Sequence, residues 1–445
     1  MAFLQINVNH ISVKQFILIL FLGSFWFGKS QSLYFPPTIG NNWDTLAPAS
    51  LGYCQPKIDS LYAFLEDNST KAFILLKDGK IVLEKYFGSH TSTTPWQWAS
   101  AGKTITAFMV GIAQQEGYLT ITDTTSQYLG QGWTNATPQQ EEKITVRHQL
   151  TMTSGLNDGV PDHYCTLDTC LNYLADAGTR WAYHNGPYTL LDQVITNATG
   201  QSLNSYTTQK LKTPTGMTGS FFSVGYNNVF FSTARSMARF GLLILNNGNW
   251  NGNQIMTDAA YFNQMVNTSQ NLNDSYGYLW WLNGKSNFMI PNLQMVFPGF
   301  MCPNAPADMI SAIGSGGQFL NVVPSQNLVW LRMGDEPNNT NVPFLLNEDI
   351  WDYVNELVCQ DAGASEQQTG AFGLSLSPNP VKDHLRISVN SGLIGEVLVY
   401  NAQGVHLATW QINTASSVLD VAEFPKGFYF LKQSSSGQVQ RWIKE

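Results

Sequence analysis

Two strand–turn–strand patterns lie far apart in this chain, with helical periodicity between them, and this arrangement most limits how the polypeptide can fold. The first spans Ala72–Phe87, with β-branched and aromatic residues on both sides of Asp78-Gly79. That dipeptide accepts the positive φ values of a two-residue hairpin turn. The second joins Gln318–Val323 to Asn327–Met333 across Pro324-Ser-Gln. Between them, Ile105, Phe108, Met109, Ile112 and Ala113 predict a helix from Ser100 to Leu119 that ends near Gly117. From Thr145 to about Ile255 the pattern is helix with loops; the clearest helices are the one that includes Tyr188–Ile195, stopped by Gly200, and 232–247, and another is expected over 342–358. Strands at both ends of a helical middle predict an α+β fold whose antiparallel sheet is built from distant segments.

The 445 residues are 43% hydrophobic and 12% charged, enough to bury a large core. Net charge is −8 and no Lys/Arg cluster occurs, which excludes nucleic acid as a partner. Lys14 precedes the apolar run Gln15–Phe27 and the polar stretch Gly28–Ser32, so residues 1–31 read as a secretory signal peptide. No later segment reaches the ~18 apolar residues of a membrane helix, so no transmembrane span is expected in the mature chain. Residues 32–359 then form the main domain, the polar stretch 360–373 a linker, and 374–445 a second domain. In the latter, Leu385–Val389, Glu396–Tyr400, Val405–Trp410 and Phe428–Leu431 read as short strands of a small all-β sandwich. Of the cysteines Cys54, Cys165, Cys170, Cys302 and Cys359, the pair Cys165 and Cys170 lies in a loop-like stretch and is expected to form a disulfide after export. No histidine stands at metal-ligand spacing from a cysteine pair, and no metal is expected.

Ser100-Ala-Gly-Lys103 opens a predicted helix. A spacing of three puts hydroxyl and amine on one face, where an uncharged lysine can take the serine proton. Tyr183-His-Asn185 follows in a loop before the Tyr188 helix, and Gly314-Ser-Gly-Gly317 leads into a strand. A phenol can relay protons, an asparagine can bind a substrate amide, and glycine-rich backbone can offer N–H groups to an oxyanion. A Gly-x-Ser-x-Gly elbow is absent, since Ile313 stands where glycine is needed ahead of Ser315. His148 sits in an apolar helical pattern and reads as structural, while His184 alternates away from Tyr183 and Asn185. Tyr276, Tyr278, Trp280 and Trp281 suit either a cleft lining or core packing.

The order of these pieces, with the flanks Ile144–Leu156 and Trp181–Leu191, resembles the serine β-lactamase and penicillin-binding-protein family over residues 55–358, and its class C and esterase branch in particular. The resemblance implies a β-lactamase/transpeptidase-like fold, an antiparallel sheet flanked by helices with a helical subdomain. It implies Ser100 as acyl-forming nucleophile, Lys103 as base, Tyr183 as proton shuttle, and Asn185 as substrate-amide and lysine-positioning group. Gly314, Ser315 and Gly316 align with the family's Lys-Thr-Gly, and the N–H groups of Ser100 and Gly317 would form the oxyanion hole. Glycine at 314 removes the lysine that meets a β-lactam carboxylate. Gly-x-Gly-Gly-Gln is similar instead to members that cleave esters or linear amides, such as 6-aminohexanoate-dimer hydrolases. The expected activity is therefore hydrolysis of a small ester or linear amide without any cofactor. The alternatives are a β-lactamase or D-alanyl-D-alanine peptidase, for which a cation such as Arg332 would replace the lysine, and a non-catalytic β-lactam or muropeptide sensor or surface binding module.

The tail carries a second resemblance. Leu374–Ile387, Val397–Gly404 and Pro425–Lys432, with Arg441 and Lys444 at a basic end, are similar to the C-terminal sorting domain of the type IX secretion system. This implies the secretion machinery as a partner, export across both membranes to the medium or cell surface, and removal of the tail.

Overall fold

The computed structural model describes residues 33–335, 344–359, 374–389, 392–401, 405–435 and 439–444. The expected signal peptide and linker lie outside the described residues. Helix α1 (Gln55–Asp67) leads into strands β1 (Thr70–Lys77) and β2 (Lys80–Tyr86). Asp78 and Gly79 join them with φ values of 50° and 82°, the two positive angles that this turn requires. The chain then forms α2 (Lys103–Gln115), α3 (Asn185–Thr189), α4 (Leu191–Thr199), the hairpin β3 (Ser220–Val224) and β4 (Asn227–Ser232), and α5 (Ala234–Leu245). It returns through β5 (Trp281–Leu282), β6 (Ile310–Gly314), β7 (Gln318–Val323) and β8 (Leu328–Gly334) to α6 (Phe344–Asn355).

The main sheet has the order β2-β1-β8-β7-β6-β5, every neighbouring pair antiparallel. The first hairpin meets the second directly, with Ile74 opposite Leu331 and Lys77 opposite Leu328. This is the expected α+β architecture, closed by strands from opposite ends of the domain. All residues of β6, β7 and β8 are buried; α5 packs on β7 and β8, and Trp351 of α6 packs on Trp330 of β8. A disulfide between Cys54 and Cys359 ties the two ends of this region together across 305 residues.

Three elements differ from their sequence patterns. The glycine-rich stretch does not merely enter a strand: it is the turn of a β6–β7 hairpin, with Gly314 opposite Gln318. The helix expected around Tyr188, after a loop at 183–185, begins slightly earlier, at Asn185, and His184 just before it is extended. Strands β3 and β4 occupy part of a stretch whose pattern was helix with loops, and Phe221 pairs with Phe230 there. Both strands are short, so their alternation competes poorly with the helical periodicity around them.

The described C-terminal strands form a small all-β region. They are β9 (Leu374–Ser377), β10 (His384–Val389), β11 (Gly395–Asn401), β12 (His406–Ile412), β13 (Ser416–Asp420), β14 (Gly427–Gln433) and β15 (Val439–Lys444). Two sheets, β9-β10-β13 and β12-β11-β14-β15, enclose a core that includes Leu385, Ile387, Val397, Val399, Leu431 and Trp442.

Candidate active site

The turn that carries Ser100 is held from behind. The short strand Trp96–Gln97 pairs with β4, the Trp98 N–H donates to Phe230 O at 2.8 Å, and the indole donates to Ser232 Oγ at 2.8 Å. From the buried Trp98 the chain enters a single 3₁₀ turn, Ala99–Gly102, which runs into α2. Ala99 has φ 45°, a left-handed conformation that costs a non-glycine residue of order 1–2 kcal/mol. Ser100 is half-buried at the N-terminal end of this helical run, and the amine of Lys103, buried at 2% exposure, donates to its Oγ at 3.0 Å. That amine also stands 4.4 Å over the Tyr188 ring and 5.2 Å over the Tyr183 ring.

The electrostatics separate a base from an acid. Burial pushes Lys103 down from 10.5 to about 7, opposed by the charge of Asp192. Burial pushes the Tyr183 phenol well above its ordinary value, opposed by a hydrogen bond with Ser100. Lys103 is therefore able to lose its proton near neutral pH, whereas Tyr183 keeps its own. Tyr183 stacks on Trp281 at 5.8 Å between ring centroids, and both lie against Tyr276. Tyr276, Tyr278, Trp280 and Trp281 are all at most 2% exposed, so the aromatic cluster is core that fixes Tyr183 rather than a cleft lining.

Extended backbone at His184 turns neighbouring side chains to opposite sides. Asn185 is buried, and its Oδ1 has no hydrogen-bond partner. His184 is buried as well, and desolvation pushes it down to about 4. His148 caps the helix Val146–Leu150, its Nδ1 accepting the Thr145 N–H at 3.1 Å. A disulfide joins Cys165 and Cys170, and Cys302 is a buried free thiol. The segment leading into the disulfide touches the tyrosine segment, since the Gly186 N–H donates to His163 O at 3.0 Å and a Cβ on Gly186 would lie 2.5 Å from Cys165 O.

The glycine turn between β6 and β7 faces the Ser100 turn. A Cβ on Gly314 would lie 3.1 Å from Ser100 N and 2.9 Å from Ala101 N, so any side chain at 314 would be driven into that backbone. Ser315 is exposed and Gly316 half-buried, while the Gly317 N–H closes the turn on Gly314 O at 3.2 Å. Beneath the turn lies Arg332, fully buried on β8. Its guanidinium donates to Gly316 O at 2.9 Å, Gly317 O at 2.7 Å, Asp335 O at 2.8 Å and Thr70 Oγ1 at 2.9 Å, and also to Asn68 O. Arg332 thus braces the turn through its carbonyls. The sequence also gave little notice of Trp98, of Tyr188 as a neighbour of Lys103, and of Asp192. For Asp192 a signal existed: a carboxylate four residues beyond Tyr188, within the apolar run Leu190–Ile195.

A fold with these pieces in this order matches known proteins. The Beta-lactamase family profile matches residues 66–347, and the Secretion system C-terminal sorting domain matches residues 375–445. The chain belongs to the β-lactamase/transpeptidase-like family and ends in a type IX sorting domain, which marks it for export to the cell surface or medium. An uncharacterized protein of Alkalihalophilus pseudofirmus, BpOF4_21049, is 25% identical over 306 residues, 60% of this chain and 84% of its own. Protein flp of Staphylococcus aureus is 28% identical over 171 residues, 34% of each chain. Among solved structures, a protein provisionally assigned as a β-lactamase from Bacteroides dorei DSM 17855 aligns over 69% of this chain and 100% of its own, with TM-score 0.56 and 18% identity. One provisionally assigned as a 6-aminohexanoate-dimer hydrolase from Bacillus anthracis aligns over 74% of this chain and 88% of its own, with TM-score 0.53 and 22% identity. These two likenesses establish the fold.

Proposed function

We propose that the protein is an exported serine hydrolase that cleaves small esters or linear amides through an acyl-enzyme on Ser100. The observation that carries this reading is the 3.0 Å contact between the Lys103 amine and Ser100 Oγ, with burial holding that lysine at about 7. Neutral Lys103 takes the Ser100 proton as Oγ bonds to the substrate carbonyl carbon, and the carbonyl π electrons move onto oxygen. That oxyanion faces the N–H groups of Ser100 and Gly317. The Gly317 bond to Gly314 O, at 3.2 Å, is long enough for an anionic acceptor to compete for it. Collapse of the intermediate expels the alcohol or amine, which takes a proton from the Tyr183 phenol, and Lys103 restores the phenol's proton. Water then repeats the sequence on the acyl-enzyme and releases the acid. Asn185 Oδ1, buried without a partner, is the acceptor for a substrate amide N–H.

The substrate class follows from Gly314 and Arg332. Position 314 carries no side chain and Arg332 is committed to backbone carbonyls, so neither provides the cation that a β-lactam carboxylate would need. The name of the Bacillus anthracis neighbour points to linear amides in the same way. We further propose that residues 32–359 are the catalytic domain, 360–373 the linker and 374–445 the removable sorting domain, with the type IX machinery as its partner.

The test is hydrolysis of p-nitrophenyl butyrate and of nitrocefin by the exported protein, beside Ser100→Ala and Tyr183→Phe. Ester turnover is expected to vanish in Ser100→Ala and to fall about 100-fold in Tyr183→Phe, the usual scale of proton-transfer help. Undiminished turnover in Ser100→Ala would sink the mechanism, and fast nitrocefin cleavage would overturn the substrate class. A stable adduct on Ser100 without turnover would replace the hydrolase by a sensor.

A further inference from the structure

The mechanism above leaves unused a shielded carboxylate near Lys103, that of Asp192. Asp192 is in the first turn of α4, which packs on α2, the helix that carries Lys103. It follows Tyr188 by four residues along an almost unbroken helical run, so both side chains sit on one face. The ring of Tyr188 lies under the Lys103 amine at 4.4 Å, and its hydroxyl is 3.4 Å from Thr106 Oγ1 on α2. Asn228 of β4 donates to one Asp192 oxygen at 2.5 Å, while the other, Oδ1, is shielded from water and has no hydrogen-bond partner. Among the described residues neither Lys103 nor Asp192 makes an ion pair within 4 Å.

We propose that Asp192 is the counter-charge of Lys103, a positioning residue that acts on the reaction only through that amine. A half-satisfied buried carboxylate is costly unless a charge nearby compensates it. The pocket offers Lys103 as that charge. The remaining titratable groups facing it are the phenols of Tyr183 and Tyr188, both held neutral by burial. From other elements packed on α4, Tyr128 and Tyr206 have their hydroxyls on Asp123 and Glu116. Burial drives both partners toward their neutral forms: Asp192 rises to about 7 as Lys103 falls to about 7. Over neutral pH, the fraction of Lys103 free to act as base is then set by whether Asp192 carries a charge.

The test does not need a substrate. In the full chain labelled with [¹³Cε]lysine, the Lys103 resonance is assigned by its loss in Lys103→Met and followed from pH 5 to 11. Asp192→Asn keeps the shape and the Asn228 contact but removes the charge. Its Lys103 midpoint is expected to drop by on the order of one pH unit, and the acidic limb of ester turnover to move the same way. Should that variant not fold, Asn228→Ala, which makes Asp192 harder to ionise, is expected to move the midpoint in the same direction by less. An unchanged Lys103 midpoint in folded Asp192→Asn would overturn the proposal. The kinetic part rests on the hydrolase reading, but the two failures are distinct: absent ester turnover would sink that reading, while the resonance would still decide this one.

Discussion

Gly314 presses so closely on the Ser100 turn that a Cβ placed on it would stand 2.4 Å from the carbonyl oxygen of Trp98. The obstacle is backbone, fixed in turn by the bond from Trp98 N to Phe230 O, and it cannot swing aside as a flexible side chain would. Gly314→Ala is therefore expected to lose about 1–3 kcal/mol through overpacking and to displace Ser100, lowering ester turnover by about 10- to 100-fold. Gly314→Lys, which restores the family's lysine by alignment, is expected to do the same and to gain no β-lactam cleavage. Thermal melts with turnover of ester and nitrocefin check this, and a Gly314→Ala variant that melts and turns over like the parent would refute the close approach.

The lysine proposed as base also burdens the fold, and the sign of that burden fixes a pH window. Unfolded, Lys103 keeps its proton up to 10.5; folded, it loses it at about 7 because burial penalises the charge. Between those values the unfolded chain binds more protons, so this residue's contribution to stability rises with pH and is least favourable below pH 7. Asp192 has the opposite sign: its raised value means its contribution falls as pH climbs from about 4 to about 7, below the lysine window. Lys103→Met should abolish turnover, yet be no less stable than the parent at pH 7, and the parent should gain on it between pH 7 and 10. Urea denaturation of both at pH 7, 8.5 and 10 measures the difference, and parallel pH dependences would show that Lys103 is not desolvated as described.

The pieces of the proposed site stand out in the sequence because their chemistry demands particular residue types at fixed spacing: Ser100 with Lys103, then Tyr183 with Asn185. The sheet was legible from Asp78-Gly79 and from the apolar strands that flank it. What stayed hidden depends on contacts between segments distant in the chain. Arg332 reads as a candidate cation until β8 is seen to run beneath the glycine turn, where its donors meet the carbonyls of Gly316 and Gly317. Gly314 reads as a lost lysine, and only its packing on Trp98 and Ser100 shows that a side chain there is excluded. Asp192 reads as one polar residue on an amphipathic helix, since nothing in the local pattern says that Lys103 lies across from it.

The loop closed by Cys165 and Cys170 braces the tyrosine segment from outside. A Cβ on Gly186, one residue beyond Asn185, would come within 2.5 Å of Cys165 O, and two residues ahead of the ring the His163 carbonyl accepts the Gly186 N–H at 3.0 Å. Tyr164, the residue just before Cys165, acts electrostatically on Tyr183, helping to keep its phenol protonated. A ring spanning a separation of five residues constrains only its own segment, and opening it forfeits about 2 kcal/mol of local order. The double variant Cys165→Ser, Cys170→Ser is thus expected to lose about 10-fold in kcat through misplacement of Tyr183 and Asn185. The melting transition, carried by the sheet core and the Cys54–Cys359 bridge, should move by a few degrees at most. Steady-state kinetics beside a thermal melt separates the two effects. Unaltered kcat would mean that the loop merely borders the site, and a collapse of the melting temperature would make the ring a general staple of the fold.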